Sequence, residues 1–176
     1  SPGLKLVYDG EIKIYENKNA LPRAFLVRSA KFVKNDDEAV ALMKSSDFDP
    51  SKTVVIEAPE PFGHFAHLAK SYSSDNLKLL SYDSQRVEID TDLREPSILV
   101  LSDIFYKKWI AEIDGVTQQT YRANLAFRAL PVKRGKHKIV FRYYDPLFIR
   151  TLWLSLSCTL LALLSIGIGK LPRNAR

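Results

Sequence analysis

The chain has 176 residues, 46% of them apolar, and a formal charge of +6, which fits one folded domain with an appendage and not a disordered chain. Its single cysteine, Cys158, excludes an internal disulfide framework and any multi-cysteine metal or cluster site. All 20 acidic residues lie between Asp9 and Asp145, so the stretch ending at Ile149 carries only +2, and with no basic–aromatic platform in it nucleic-acid binding is excluded as a reading.

In chain order, residues 6–8 and 12–15 flank Asp9-Gly10, which predicts a two-residue hairpin turn. Residues 24–27 follow Leu21-Pro22 and read as a strand. Residues 36–44, DDEAVALMK, read as a helix with acids in its first turn, Val40 or Ala41 facing a sheet and Met43 or Lys44 one turn on. Asp49-Pro50 breaks the chain, and residues 53–57, TVVIE, have the β-branched density of a strand.

Residues 58–76 contain prolines, a glycine and a serine-rich end, and read as a linker or insertion loop. They divide a small strand-helix-strand region, 1–57, from a β-sandwich-like unit, 77–145. In the second unit, residues 77–82 and 85–91 are strands, and Val87 and Ile89 alternate with Glu88 and Asp90 as in a half-buried strand. Residues 97–101, SILVL, form an apolar run that predicts a central strand. Residues 109–113 place Trp109, Ala111 and Ile113 on one face, Asp114-Gly115 turns, and 118–122 returns. Residues 124–130 carry Leu125, Phe127 and Ala129 on one face, 133–136 turn again, and 138–144 alternate Ile139, Phe141 and Tyr143. Strands at this spacing predict a sandwich or a partly open barrel.

Residues 151–169 hold no charge. About 20 such residues span a hydrocarbon core of about 30 Å. The window can begin at Leu147 if Arg150 snorkels, giving a transmembrane helix over 147–169 with Tyr143, Tyr144 and Trp153 near one interface. Lys170, Arg173 and Arg176 form a basic tail over 170–176. The bias of basic residues toward the cytoplasm predicts a cytoplasmic C-terminus and an extracytoplasmic N-terminal domain. The fold class is therefore mainly β, with a small α/β N-terminal part and one C-terminal membrane helix.

The run from Ser97 carries an ordered set of motifs. They are Leu101-Ser102-Asp103, Tyr106 with Trp109 three residues on, Asp114-Gly115, Tyr121-Arg122-Ala123-Asn124, Gly135-Lys136-His137 and Phe141-Arg142-Tyr143. This set resembles the C-terminal region of the YfhO-like family of bacterial multi-spanning membrane proteins. The segments NALPRAFLV from Asn19 and FDPSKTVVIE from Phe48 resemble it too, so the likeness covers nearly the whole chain. One departure stands out: between Tyr106 and Trp109 the family usually has Pro-Gly, and here Lys107-Lys108 stand there. Family members are similar to membrane glycosyltransferases that take sugars from a polyprenyl-phosphate carrier. The carboxylates expected to act in them lie in early loops of a large helical domain that these residues do not include. The resemblance thus implies the extracytoplasmic C-terminal module and last helix, and it carries over no catalytic residue.

Each candidate site residue has two readings. Asp103, at the end of the apolar run, is either a ligand-facing carboxylate or an Asx-type turn that accepts backbone N–H groups. Tyr106 and Trp109 either stack on a sugar ring or close the end of the core. Asn124 suits backbone hydrogen bonding at a bulge or turn, and His137 suits bonding to its turn. Lys107 and Lys108, and the cluster of Lys133, Arg134, Lys136 and Lys138, are either solvated turns or contacts for lipid phosphates or an anionic partner. His64 and His67 share helical spacing, and zinc would need Glu57 and Glu60, the nearest acids, as further ligands; the preferred reading is a solvated loop anchored by Phe62 and Phe65, so no metal and no cofactor is expected. Ser155, Thr159 and Ala162 form a stripe of small residues for helix packing.

Three functions follow as expectations. The first is a non-catalytic accessory module in a bacterial cell membrane, docked on a multi-helix membrane protein and in contact with lipids. The second is the acceptor-side C-terminal module of a polyprenyl-phosphate-dependent glycosyltransferase. The third is a carbohydrate-binding module. A complete mature chain would favour the first, and a piece of a longer one the second.

Overall fold

A computed structural model of the chain describes residues 3–58 and 75–169, with side chains as far as Ser165. His64 and His67, most of the 58–76 linker and the basic tail lie outside the described residues. The elements are β1 (Leu4–Asp9), β2 (Lys13–Asn17), β3 (Ala24–Val27), β4 (Ser29–Val33), α1 (Asp36–Met43), β5 (Thr53–Glu57), β6 (Asn76–Tyr82), β7 (Arg86–Leu93), β8 (Ser97–Leu101), β9 (Trp109–Ile113), β10 (Val116–Gln118), β11 (Tyr121–Ala123), β12 (Phe127–Val132), β13 (Gly135–Tyr143) and α2 (Pro146–Gly169). They form two units, Ser1–Arg142 and Tyr143–Arg176.

The first unit is built on two large sheets, in the orders β10-β9-β13-β7-β6 and β3-β8-β12-β11-β5-β4. The alternation in β7 turns Val87, Ile89, Thr91 and Leu93 inward. They meet Ile139 and Phe141 of β13, Ala111 of β9, Leu99 and Leu101 of β8, and Leu130 and Val132 of β12 in one core. That core draws on both sheets, so they pack face to face as a sandwich. Strand β8 is buried along its whole length, because Ile98 and Val100 serve a second apolar cluster on the opposite face from Leu99 and Leu101. This explains its unbroken apolar run, and it sits between β3 and β12 as expected.

Helix α1 lies between the parallel strands β4 and β5 in the chain. Asn35 caps it by accepting from the Glu38 N–H at 2.9 Å, while the Glu38 carboxylate accepts from the Lys34 N–H at 2.9 Å. Ala39 is buried and Leu42 and Met43 pack on Val33 and Val55, so Met43 faces the sheet as expected while Ala39 takes the place expected of Val40 or Ala41. The start of the helix at Asp36 sets that phase.

Several expectations are corrected in detail. Asp9 pairs with Lys13, so the first hairpin has a three-residue loop, and the register shifts between Leu6 and Tyr8. All residues of β1 and β2 are exposed, and the two form a sheet by themselves. Strand β4, parallel to β5, was not expected, since Ser29, Ala30 and Lys31 lack β-branched density. The expected return over 118–122 is two strands: β10 stays with β9, and β11 crosses to the other sheet. The strand expected from 124 begins at Phe127, because Asn124 and Leu125 are left-handed at φ 46 and 69. Asn124 compensates by imitating a strand partner: its N–H donates to Val55 O at 2.8 Å and its Oδ1 accepts from Val55 N at 2.9 Å. Finally, β3, β4 and β5 precede residue 58, yet they share a sheet with β8, β11 and β12. The composition break at 58–76 therefore does not separate two folded units.

The second unit holds α2, which begins at Pro146 with Asp145 as its cap: Asp145 Oδ1 accepts from Leu147 N at 3.1 Å and Phe148 N at 3.2 Å. Its 24 residues extend about 36 Å, enough to cross a bilayer, and Pro146–Ser165 has a mean hydropathy of 1.9. Four hydroxyls bond to their own helix: Thr151 to Leu147 O, Ser157 to Trp153 O, Thr159 to Ser155 O and Ser165 to Ala162 O, all at 2.8–3.0 Å. Lipid can therefore surround the helix without leaving those donors unpaired.

Candidate functional site

Residues 102–108 connect β8 to β9, and the two halves of this loop do different things. The first half is anchored. Ser102 N donates to Arg23 O at 2.8 Å, and Arg23 Nη1 donates back to Ser102 O at 2.8 Å. Asp103 Oδ1 accepts from Ile104 N at 3.1 Å, and its Oδ2 accepts from Arg128 Nη2 at 3.1 Å. Phe105 N donates to Ala126 O at 2.6 Å.

Arg128 is the centre of this anchor. It stands on β12 in phase with Leu130 and Val132, and directly opposite Leu101, so the pleat turns it into the sandwich. Its side chain is 2% exposed. Nε donates to Ile104 O at 3.1 Å, and the guanidinium carbon lies 4.0 Å from the centre of the Trp109 ring. Nη1 meets no hydrogen-bond acceptor among the described residues. Burial draws its pKa below the ordinary arginine value, and the Asp103 carboxylate opposes that. Trp109 in turn packs half-buried against the core. Asp103 and Trp109 thus both face Arg128, in one structural cluster.

The second half of the loop lines a cleft of about 860 Å³ with Lys34, Glu57, Ala58, Phe105, Tyr106, Lys107, Gln119, Thr120, Tyr121 and Arg122. The crossing between β10 and β11 brings Gln119 and Thr120 there. Arg122 and Glu57 are directly opposite on β11 and β5, with Nε and Oε2 2.7 Å apart, and Arg122 also pairs with Asp36 at the start of α1. Burial pushes the Tyr121 hydroxyl pKa up. The cleft has three aromatic walls, an amide, a hydroxyl and two lysines. Its size and lining suit a small ligand or a few units of a polymer.

Of the sequence candidates, Tyr106 and Lys107 line the cleft, and Lys108 lies with Nζ 5.9 Å from the Tyr106 ring centre. Arg134 does not line it; its carbonyl faces His137 Nε2 at 3.3 Å. His137 also holds Asp114, with Nδ1 and Oδ2 2.7 Å apart, and Asp114 Oδ1 accepts from Lys138 N at 2.8 Å. The His137 contact, then the Lys138 N–H, hold the Asp114 carboxyl below the usual aspartate value. Lys136 and Lys138 of the basic cluster are paired with Asp92 at 3.7 Å and Glu88 at 2.9 Å. Ser155, Thr159 and Ala162 lie on α2 and are not among the residues that line the cleft. Among the described residues no group of acids, histidines or cysteine is placed to hold a metal.

The sequence missed Lys34, Phe105, Gln119, Thr120, Tyr121, Arg122 and Arg128. For Arg128 a signal existed: an arginine in phase with inward apolar residues must be paired where it lies. For the cleft there was none, because its walls come from β5, β11, the end of β4 and a loop, which only the sheet order brings together.

A two-sheet β module joined in sequence to a helix long and apolar enough to cross a membrane defines a membrane-associated protein with a folded β domain. The chain belongs to the family described as bacterial membrane protein YfhO, whose model matches residues 58–155, more than half of its length. No curated protein and no solved structure matches the chain.

Proposed function

We propose that this chain is a non-catalytic module, held in a bacterial membrane by α2, that docks on a larger multi-helix membrane protein. The observation that carries the reading is α2 itself. It is exposed along its described length, the hydroxyls of Thr151, Ser157, Thr159 and Ser165 are turned onto its own backbone, and Ser155, Thr159 and Ala162 make one stripe of small side chains that admits a close neighbour. Exposed apolar residues of the first hairpin, among them Leu4, Leu6, Val7 and Ile14, add apolar surface of the kind that partners cover. The N-terminal domain is extracytoplasmic in this reading, and Arg150 meets lipid phosphates at the interface.

Purification from native membranes in mild detergent tests the proposal. A multi-helix protein should travel with the chain, and the purified chain should transfer no sugar from polyprenyl-phosphate donors. A chain that elutes alone, or sugar transfer abolished by changing Asp103, contradicts it. A second reading, in which the module holds acceptor glycan beside a polyprenyl-phosphate-dependent active site or binds glycan by itself, is favoured by one observation. Phe105, Tyr106 and Tyr121 line a cleft beside Gln119 and Thr120, the mixture of flat apolar faces and polar groups that fits a sugar.

A further inference from the structure

We infer that the cleft between the 102–108 loop and β11 selects glycans bearing monoanionic groups over neutral ones, through Lys34 and Lys107. Among the described residues lining it, Arg122 is ion-paired, with Glu57 Oε2 2.7 Å from its Nε and Asp36 as its second carboxylate partner. Lys34 and Lys107 have no ion-pair partner among the described residues. Glu38, the acid nearest Lys34 in sequence, is engaged with the Lys34 backbone N–H as part of the α1 cap. Glu57, the acid that lines the cleft, is engaged by Arg122. Lys34 and Lys107 thus line the cleft together with Phe105, Tyr106 and Tyr121, without an acidic partner among the described residues.

The arrangement has a chemical consequence. Aromatic faces take the apolar face of a pyranose ring, and Gln119 and Thr120 answer its hydroxyls. The lysines are flexible point charges, suited to one negative group at a ring's edge. Among the described lining residues the one rigid fork that could grip a dianionic phosphate, Arg122, already faces two carboxylates. A carboxylate of a uronic acid and a phosphodiester between sugar units both satisfy this chemistry. The inference gives the glycan-holding reading its ligand class and rests on that reading. It does not depend on the docking reading.

Calorimetric titration of the full chain in detergent micelles tests it. The probes are a galacturonate hexamer, a glucosyl glycerophosphodiester, maltohexaose and inorganic phosphate. Binding of the galacturonate or the phosphodiester, at least about tenfold tighter than maltohexaose, supports the inference and names the source of the charge. The double variant Lys34→Gln/Lys107→Gln should erase that preference with an unchanged melting temperature, and Lys34→Arg/Lys107→Arg should keep it. Equal binding of maltohexaose and the acidic probes overturns the charge selection and leaves the glycan-holding reading standing. Binding of none of the sugars, or of inorganic phosphate alone, overturns both.

Discussion

Arg128 is 2% exposed and has one carboxylate partner, so its neighbours decide whether the domain tolerates it. Asp103→Ala leaves a buried charge uncompensated and should cost about 3 kcal/mol, the lower end for a buried pair because Asp103 itself keeps 26% exposure. Arg128→Met combined with Asp103→Asn should recover most of that loss, since an apolar replacement suits the surrounding leucines and needs no partner. Chemical denaturation of the three proteins checks both outcomes. The Asp114 carboxylate makes a different prediction. Its folded pKa is depressed by His137 and the Lys138 N–H, so its stabilising effect is complete above the unfolded value and is lost as pH falls through the lower, folded one. The melting temperatures of the parent and Asp114→Asn should therefore differ at neutral pH and converge as pH falls below 3.8. Asparagine tolerates the left-handed φ of 51 at that position, which confines the change to the charge. At this scale the backbone-bonding roles of Asn124 and His137 were readable in sequence, because short polar side chains beside turns bond locally. The Asp103–Arg128 pair was not, because its partners are 25 residues apart.

Among the elements, the readable ones are those with an uninterrupted period. Strand β7 alternates cleanly, β8 is apolar throughout, and α2 lacks charge from Thr151 onward. Strands β4, β10 and β11 were misread or missed, since they have three to five residues and owe their pairing to tertiary neighbours. Trp109 at the start of β9 links the two cases: its alternation was visible, but the guanidinium over its ring was not. Trp109→Ala should destabilise the β unit by about 3 kcal/mol, through lost core contact and a stripped Arg128. A thermal melt shifted by only a degree or two would contradict that. On α2, Thr159→Leu with Ala162→Leu should weaken co-purification of a multi-helix partner while the chain still resists carbonate extraction. Undiminished co-purification would remove this stripe as the contact.

At the scale of the whole molecule, the mainly β fold and the apolar helix were both visible in the sequence, whereas the division at 58–76 was not how the sheets assemble. Composition marks where a chain changes character, but hydrogen bonding between distant strands decides what folds together. The central claim is that α2 crosses a membrane with the β domain outside. Single cysteines placed in a Cys158→Ala background test it most directly. Val116, 61% exposed beside the β9–β10 turn, reports on the domain, and Asn174 reports on the tail. In intact cells, a membrane-impermeant maleimide should label Val116→Cys and should reach Asn174→Cys only after permeabilisation. Labelling of Asn174→Cys but not Val116→Cys in intact cells would reverse the orientation, and labelling of both would contradict the span.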